Sequence, residues 1–184
     1  VRSAERLRAA GLPCPVVSIG STPTALGAKQ LQGVTEVRAG VYVFFDLVMA
    51  GTSVCSFDEI ALSVLTTVIG HQPERGFIIV DAGWMALSRD RGTQQQSVDY
   101  GYGVVCDEAG QVLDGWTVSG ANQEHGLVGH AAEGATGDIE KRFPLGTRLR
   151  VLPNHACATG AQHDSYHVVS GAAAGQRWLR FSGW

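Results

Sequence analysis

Apolar residues in this chain come in short runs closed by Gly, Asp or Pro, without the three-and-four spacing that long amphipathic helices need. The runs Val41-Tyr42-Val43-Phe44-Phe45, Gly76-Phe77-Ile78-Ile79-Val80, Gly103-Val104-Val105-Cys106, Arg148-Leu149-Arg150-Val151-Leu152 and Tyr166-His167-Val168-Val169 are predicted strands. The stretch 58–69 opens like a helix and ends in β-branched residues, so a strand is predicted over 62–69. Cys106-Asp107-Glu108-Ala109-Gly110 before Gln111-Val112 reads as a hairpin turn, and a glycine-rich loop spans 133–138. From about Val34 onward the pattern therefore predicts a mainly β fold, an antiparallel β-barrel or a compact β-domain.

The first 32 residues differ. Ser3-Ala4-Glu5-Arg6-Leu7-Arg8-Ala9-Ala10 reads as a helix stopped by Gly11, and Pro15-Val16-Val17-Ser18-Ile19 as a buried strand leading into Gly20-Ser21-Thr22-Pro23-Thr24. Helix, strand and small polar loop form the last step of an α/β unit, so residues 1–32 are expected to close a larger α/β domain and residues 33–184 to form the β-domain.

Composition narrows the functional classes. With 184 residues, 45% of them hydrophobic, the chain can bury a core. A net charge of -3 gives no electrostatic reason for a nucleic-acid or anionic-membrane partner. No apolar run reaches the roughly 20 residues of a membrane span. The 24 glycines fit many tight turns. Cys14, Cys55, Cys106 and Cys157 form no CxxC pair, which argues against a zinc ribbon or a disulfide framework and makes a reduced, cytoplasmic setting the expectation.

The candidate chemistry gathers around Pro153-Asn154-His155-Ala156-Cys157. After a strand, an extended backbone would place His155 and Cys157 on one face, able to share a divalent metal and leave positions open for water or substrate. The alternative is a packed histidine beside a free thiol. Gly20-Ser21-Thr22 after a buried strand offers N–H groups and hydroxyls to a phosphate, although it is no P-loop and such junctions also occur without ligands. Asp81 stands at a strand end, either as a site carboxylate or in a solvated turn. His125 beside Glu124 is either a tuned base or a surface residue, and His163-Asp164 is a candidate outer partner of the metal pair.

Five segments, Val17-Ser18-Ile19-Gly20-Ser21-Thr22-Pro23-Thr24, Glu36-Val37-Arg38-Ala39-Gly40-Val41-Tyr42, Val80-Asp81-Ala82-Gly83-Trp84, Gln123-Glu124-His125-Gly126 and Pro153-Asn154-His155-Ala156-Cys157, occur in the order seen in the D-threonine aldolase and D-serine dehydratase family. This chain resembles these alanine racemase-related, fold-type III pyridoxal-phosphate enzymes from about Val16 to Trp184. The resemblance implies the end of a (β/α)8 barrel followed by a β-domain, a cofactor lysine upstream of Val1, and a homodimer. Neither Lys29 nor Lys141 matches that lysine. It implies phosphate binding by Gly20, Ser21 and Thr22 with Tyr42 as neighbour, and a divalent metal, zinc or manganese, on His155 and Cys157. The implied activity is a lyase acting on D-3-hydroxy amino acids. The dehydratase branch carries His-x-Cys and an aldolase pattern His-x-Asp, yet Phe44-Phe45-Asp46-Leu47-Val48-Met49-Ala50-Gly51 and the stretch 83–92 look more like aldolases. The expectation is therefore a D-threonine aldolase, with D-serine dehydratase or a non-catalytic β-domain as alternatives.

Overall fold

The computed structural model describes residues 1–132, 134 and 137–182, so three positions of the loop predicted over 133–138 lie outside the described residues. Helix α1 (Arg2–Ala9) ends before Gly11, whose φ of 77° turns the chain as the sequence predicts. Strand β1 (Ser18–Ile19) is followed by helix α2 (Thr22–Gly27) and strand β2 (Glu36–Val37), which pairs with β1 in parallel. This is a small β-α-β unit, and its two strands lie on either side of residue 32, where the domain boundary is expected.

The strand predicted over 41–45 does not form. Val41–Val43 make a single 3-10 turn, Phe45 has φ 52°, and Asp46 then caps helix α3 (Leu47–Gly51) by accepting the Met49 N–H. Apolar content and β-branching favour a strand here, but the left-handed residue and the helix cap prevail.

Six strands build the body of the molecule: β3 (Val64–Gln72), β4 (Phe77–Val80), β5 (Gly103–Asp107), β6 (Val112–Ala121), β7 (Gly126–His130) and β8 (Arg148–Pro153). Four of them (β3, β4, β5 and β8) lie on predicted runs, and two (β6 and β7) form where no strand was predicted. All six close into an antiparallel barrel in the order β3-β4-β7-β6-β5-β8, with β8 returning to β3 through Val64 opposite Val151 and Thr66 opposite Leu149. Closure leaves no open sheet edge. The hairpin predicted at 106–110 joins β5 to β6. Strands β9 (Ser165–His167) and β10 (Arg177–Leu179) form a separate antiparallel pair.

Alternation along the strands sorts residues into two cores. Val64, Val68, Ile78, Val80, Val105, Trp116, Val118, Val128, Leu149 and Val151 make one cluster, joined by Leu87 of helix α4 (Trp84–Leu87) and by Ile139 and Phe143 around helix α5 (Ile139–Arg142). The opposite face of β5 and β8, through Val104, Cys106 and Leu152, packs on Leu47 and Ile60. This second cluster explains why β5 is buried on both faces, and it fixes the segment 44–60 against the barrel. Among the described residues, no helix is long and apolar enough to cross a membrane.

The packing predicts a clear contrast between two substitutions. Ile78→Ala, at a fully buried position, should cost about 2–5 kcal/mol in urea unfolding. Leu65→Ala, half exposed on the neighbouring strand, should change stability by about 0.5 kcal/mol or less.

Candidate active site

Strand β8 ends at Pro153, and the chain turns at once into helix α6 (Ala156–Gly160). His155 is the residue before the helix, with φ -137° and ψ 110°, while Cys157 lies in its first turn. The extended same-face arrangement expected from sequence is therefore corrected: the two residues share a strand-to-helix junction, and only His155 is extended. Cys157 is exposed and the His155 side chain is 38% exposed, so both remain accessible.

Buried polar groups fasten this turn from several directions. Asp46 is 1% exposed; its Oδ1 accepts the Met49 N–H and its Oδ2 accepts the Ala156 N–H at 2.9 Å. Asn154, fully buried, donates from Nδ2 to Thr93 Oγ1 and to the Gly101 carbonyl, and its Oδ1 accepts the Thr93 N–H. Thr159 donates its hydroxyl to the Leu87 carbonyl at 2.6 Å. The Nδ1 of His155 lies 2.6 Å from Asp90 Oδ2, and Nε2 has no hydrogen-bond partner among the described residues. The acidic neighbour of His155 is thus Asp90. The expected partner segment is elsewhere: the His163 ring nitrogen meets the Ala86 carbonyl, and the Asp164 carbonyl accepts the Arg180 N–H.

The second candidate site also assembles. Ser21 caps α2 by accepting the Thr24 N–H, and Thr22, 2% exposed, accepts the Tyr42 N–H at 3.1 Å through its hydroxyl. Gly20, Ser21, Thr22 and Tyr42 therefore form one local group, although Tyr42 sits on the 3-10 turn. A Cβ on Gly20 would lie 3.0 Å from Arg38 Cβ and 3.1 Å from the Arg38 carbonyl, so a larger residue here would crowd the two segments. Arg38, which hydrogen-bonds Ser18 Oγ, adds a cation beside the loop that sequence reading left unassigned.

Two other candidates have structural work. Asp81 Oδ1 accepts from Thr66 Oγ1 and from the Thr67 N–H, holding β3 to the end of β4. His125 is exposed on the β6–β7 turn and shares no hydrogen bond with His155 or Cys157 among the described residues. Its segment instead receives α4: the Trp84 and Met85 N–H groups donate to the Asn122 and Gln123 carbonyls, and a Cβ on Gly83 would lie 2.3 Å from the Asn122 carbonyl.

The donor chemistry fits a divalent ion. An imidazole nitrogen and a thiol flank an accessible turn, and no group of three or more His, Cys, Asp or Glu that could hold a metal occurs among the described residues. Such a pair leaves coordination positions for water or substrate, as a catalytic rather than structural ion requires. The small polar loop at Gly20 to Thr22, with Arg38 beside it, suits an anion such as a phosphate. Lys29 and Lys141 are both exposed, outside these two groups.

The family model described as "Putative serine dehydratase domain" matches residues 61–169, more than half of the chain. The chain belongs to this D-serine dehydratase-like family of fold-type III pyridoxal-phosphate enzymes. It is 64% identical over its full 184 residues to a D-threo-3-hydroxyaspartate dehydratase of Delftia sp., covering 48% of that protein. The solved structure of the Delftia protein matches with a TM-score of 0.91 at 63% identity over 100% of this chain and 48% of that one. The same protein has been solved as a histidine-to-alanine variant and as a cysteine-to-alanine variant in the metal-free form, the two substituted positions lying two apart. A D-serine dehydratase of Dictyostelium discoideum is 31% identical over 90% of this chain and 42% of its own length. A D-threonine aldolase of Arthrobacter sp. is 28% identical over 95% and 41%. The chain thus spans about half the length of the curated relatives named here.

Thiol labelling should separate the cysteines. Burial first, then the Asp107 charge, pushes the Cys106 thiol up to about 11 against a weaker opposing effect of Arg150, so Cys106 should resist maleimide at pH 8 until the protein unfolds. Exposed Cys157 should label in the native protein, and added zinc should protect it. Equal labelling with and without zinc would remove Cys157 from the metal pair.

Proposed function

We propose that the full-length protein is a pyridoxal-phosphate- and zinc-dependent lyase that dehydrates D-3-hydroxy amino acids, with D-threo-3-hydroxyaspartate as the preferred substrate. The observation that carries this reading is the His155–Cys157 turn, fastened by Asp46, Asn154 and Thr159 yet open at both donor side chains. Its histidine-to-cysteine spacing equals that of the two positions substituted in the Delftia protein, whose cysteine variant is described as metal-free. A soft thiolate donor favours zinc over manganese.

His155 and Cys157 would hold the ion and leave it positions for the substrate's β-hydroxyl. Ser21, Thr22 and Tyr42, with Gly20 allowing the close approach, would bind the phosphate. When bound, pyridoxal phosphate supplies the electron sink for Cα chemistry and the metal makes the β-oxygen a better leaving group. The segment from Tyr42 to Asp46 spans the two groups, so the phosphate loop and the metal turn are held by one short stretch of backbone. The homodimer and the cofactor lysine outside residues 1–184 belong to the same proposal.

The resemblance of the stretches 44–51 and 83–92 leans towards an aldolase, although the His-x-Cys pair is that of the dehydratase branch. The relatives shift the preference to dehydration, because identity to the Delftia dehydratase is 64% and to the Arthrobacter aldolase 28%, and this chain carries the thiolate variant of the pair. Both outcomes use the same contact with the β-hydroxyl.

Full-length protein given D-threo-3-hydroxyaspartate, D-serine and D-threonine separates them. The expected products are oxaloacetate and ammonia from the first, more slowly pyruvate and ammonia from D-serine, and no aldehyde from D-threonine. Glycine and an aldehyde as the main products would overturn dehydration, and a His155→Ala variant with unimpaired turnover would overturn the metal reading.

A further inference from the structure

We propose that Asp90 is the positioning residue of the metal site: it fixes the proton of His155 on Nδ1 so that Nε2 is presented to the ion. The proposal rests on the metal-dependent reading above and deepens it. An ionised carboxylate has no hydrogen to give, so the 2.6 Å contact between Asp90 Oδ2 and His155 Nδ1 requires Nδ1 to donate. In the neutral ring the lone pair then resides on Nε2, the nitrogen a metal needs.

The strap that carries Asp90 is bound on both sides of it to the segment that carries His155. Toward the N-terminus, the Leu87 carbonyl accepts the Thr159 hydroxyl at 2.6 Å. Toward the C-terminus, Thr93 and Asn154 exchange two hydrogen bonds, Thr93 N–H to Asn154 Oδ1 at 3.1 Å and Asn154 Nδ2 to Thr93 Oγ1 at 2.7 Å. Thr93, Asn154 and Thr159 are all fully buried, so water does not compete for these bonds. The strap 87–93 is therefore registered against 154–159 at both ends, with the Asp90–His155 contact between them.

The backbone at Ser88 supports the same role. Ser88 has φ 77° and ψ 168°, a region that L-residues with a Cβ rarely adopt, and it is 4% exposed. Its hydroxyl accepts the Asp90 N–H at 3.2 Å. A strained, buried turn two residues before the carboxylate is a costly way to cross the surface, but an effective way to aim one side chain. By contrast, the neighbouring cations point to other partners: Arg89 stacks on Trp84, and Arg91 pairs with Asp99 and lies over Tyr102.

The test uses full-length protein and two readouts other than turnover. In metal-free wild type, at a pH where the ring is neutral, nitrogen-15 NMR of His155 should show the Nδ1–H tautomer, and an Nε2–H tautomer would overturn the proposal without any mutation. Zinc affinity, measured by competition with a chromophoric chelator, should fall about 10- to 100-fold in Asp90→Ala. It should fall less in Asp90→Asn, whose amide oxygen still accepts from Nδ1. A merely structural role would lower stability without changing the tautomer or ranking the two variants this way. If His155→Ala abolishes zinc binding while both Asp90 variants bind like wild type, this inference fails alone. If His155→Ala also binds like wild type, the metal reading itself has failed.

Discussion

The carboxylate of Asp46 is the interaction on which the rest of the site depends. A charge this deeply buried is costly unless its oxygens are satisfied, and here each accepts a backbone N–H, one from Met49 at the start of α3 and one from Ala156 at the start of α6. One side chain thereby joins segments 110 positions apart. It ties the stretch that begins at Tyr42, beside the Gly20–Thr22 loop, to the turn that presents His155 and Cys157. The outer core formed by Leu47, Ile60, Val104, Cys106 and Leu152 holds this stretch on the barrel, so the carboxylate's position is set by packing.

The barrel supplies rigidity rather than chemistry. Its strands close on themselves, its inner positions are filled with Val, Ile, Leu and Trp, and the candidate chemistry sits where strand β8 leaves it. Short turns fixed by buried hydrogen bonds then do what a long loop could not, which is to hold an imidazole and a thiol at a defined place while leaving both exposed. Cys106 shows the opposite arrangement: burial keeps its thiol protonated and sealed from reagents.

Much of this architecture was legible in the sequence because local signals and tertiary structure agree. β3, β4, β5 and β8 follow from β-branched runs bounded by turn residues, and the β5–β6 hairpin from Asp107 to Gly110. The 3-10 turn at Val41–Val43 was not legible, since its apolar residues read as strand and the left-handed Phe45 has no local signature. Asp46 before Leu47 and Val48 carries the signal of a helix cap, but nothing local tells that its other oxygen receives Ala156. The Asp90–His155 contact spans 65 positions, and only the fold brings it about. The His-x-Cys spacing was legible as a pair, whereas its geometry was not: an extended backbone was expected where the structure places a strand-to-helix junction.

The central claim is that His155 and Cys157 together hold one ion and leave the remainder of its coordination open. X-ray absorption on the zinc-loaded, substrate-free full-length protein tests it directly. The account predicts one sulfur at about 2.3 Å and an imidazole nitrogen at about 2.0 Å, with water oxygens completing the shell. A shell without sulfur, or one filled by four protein ligands, would contradict it.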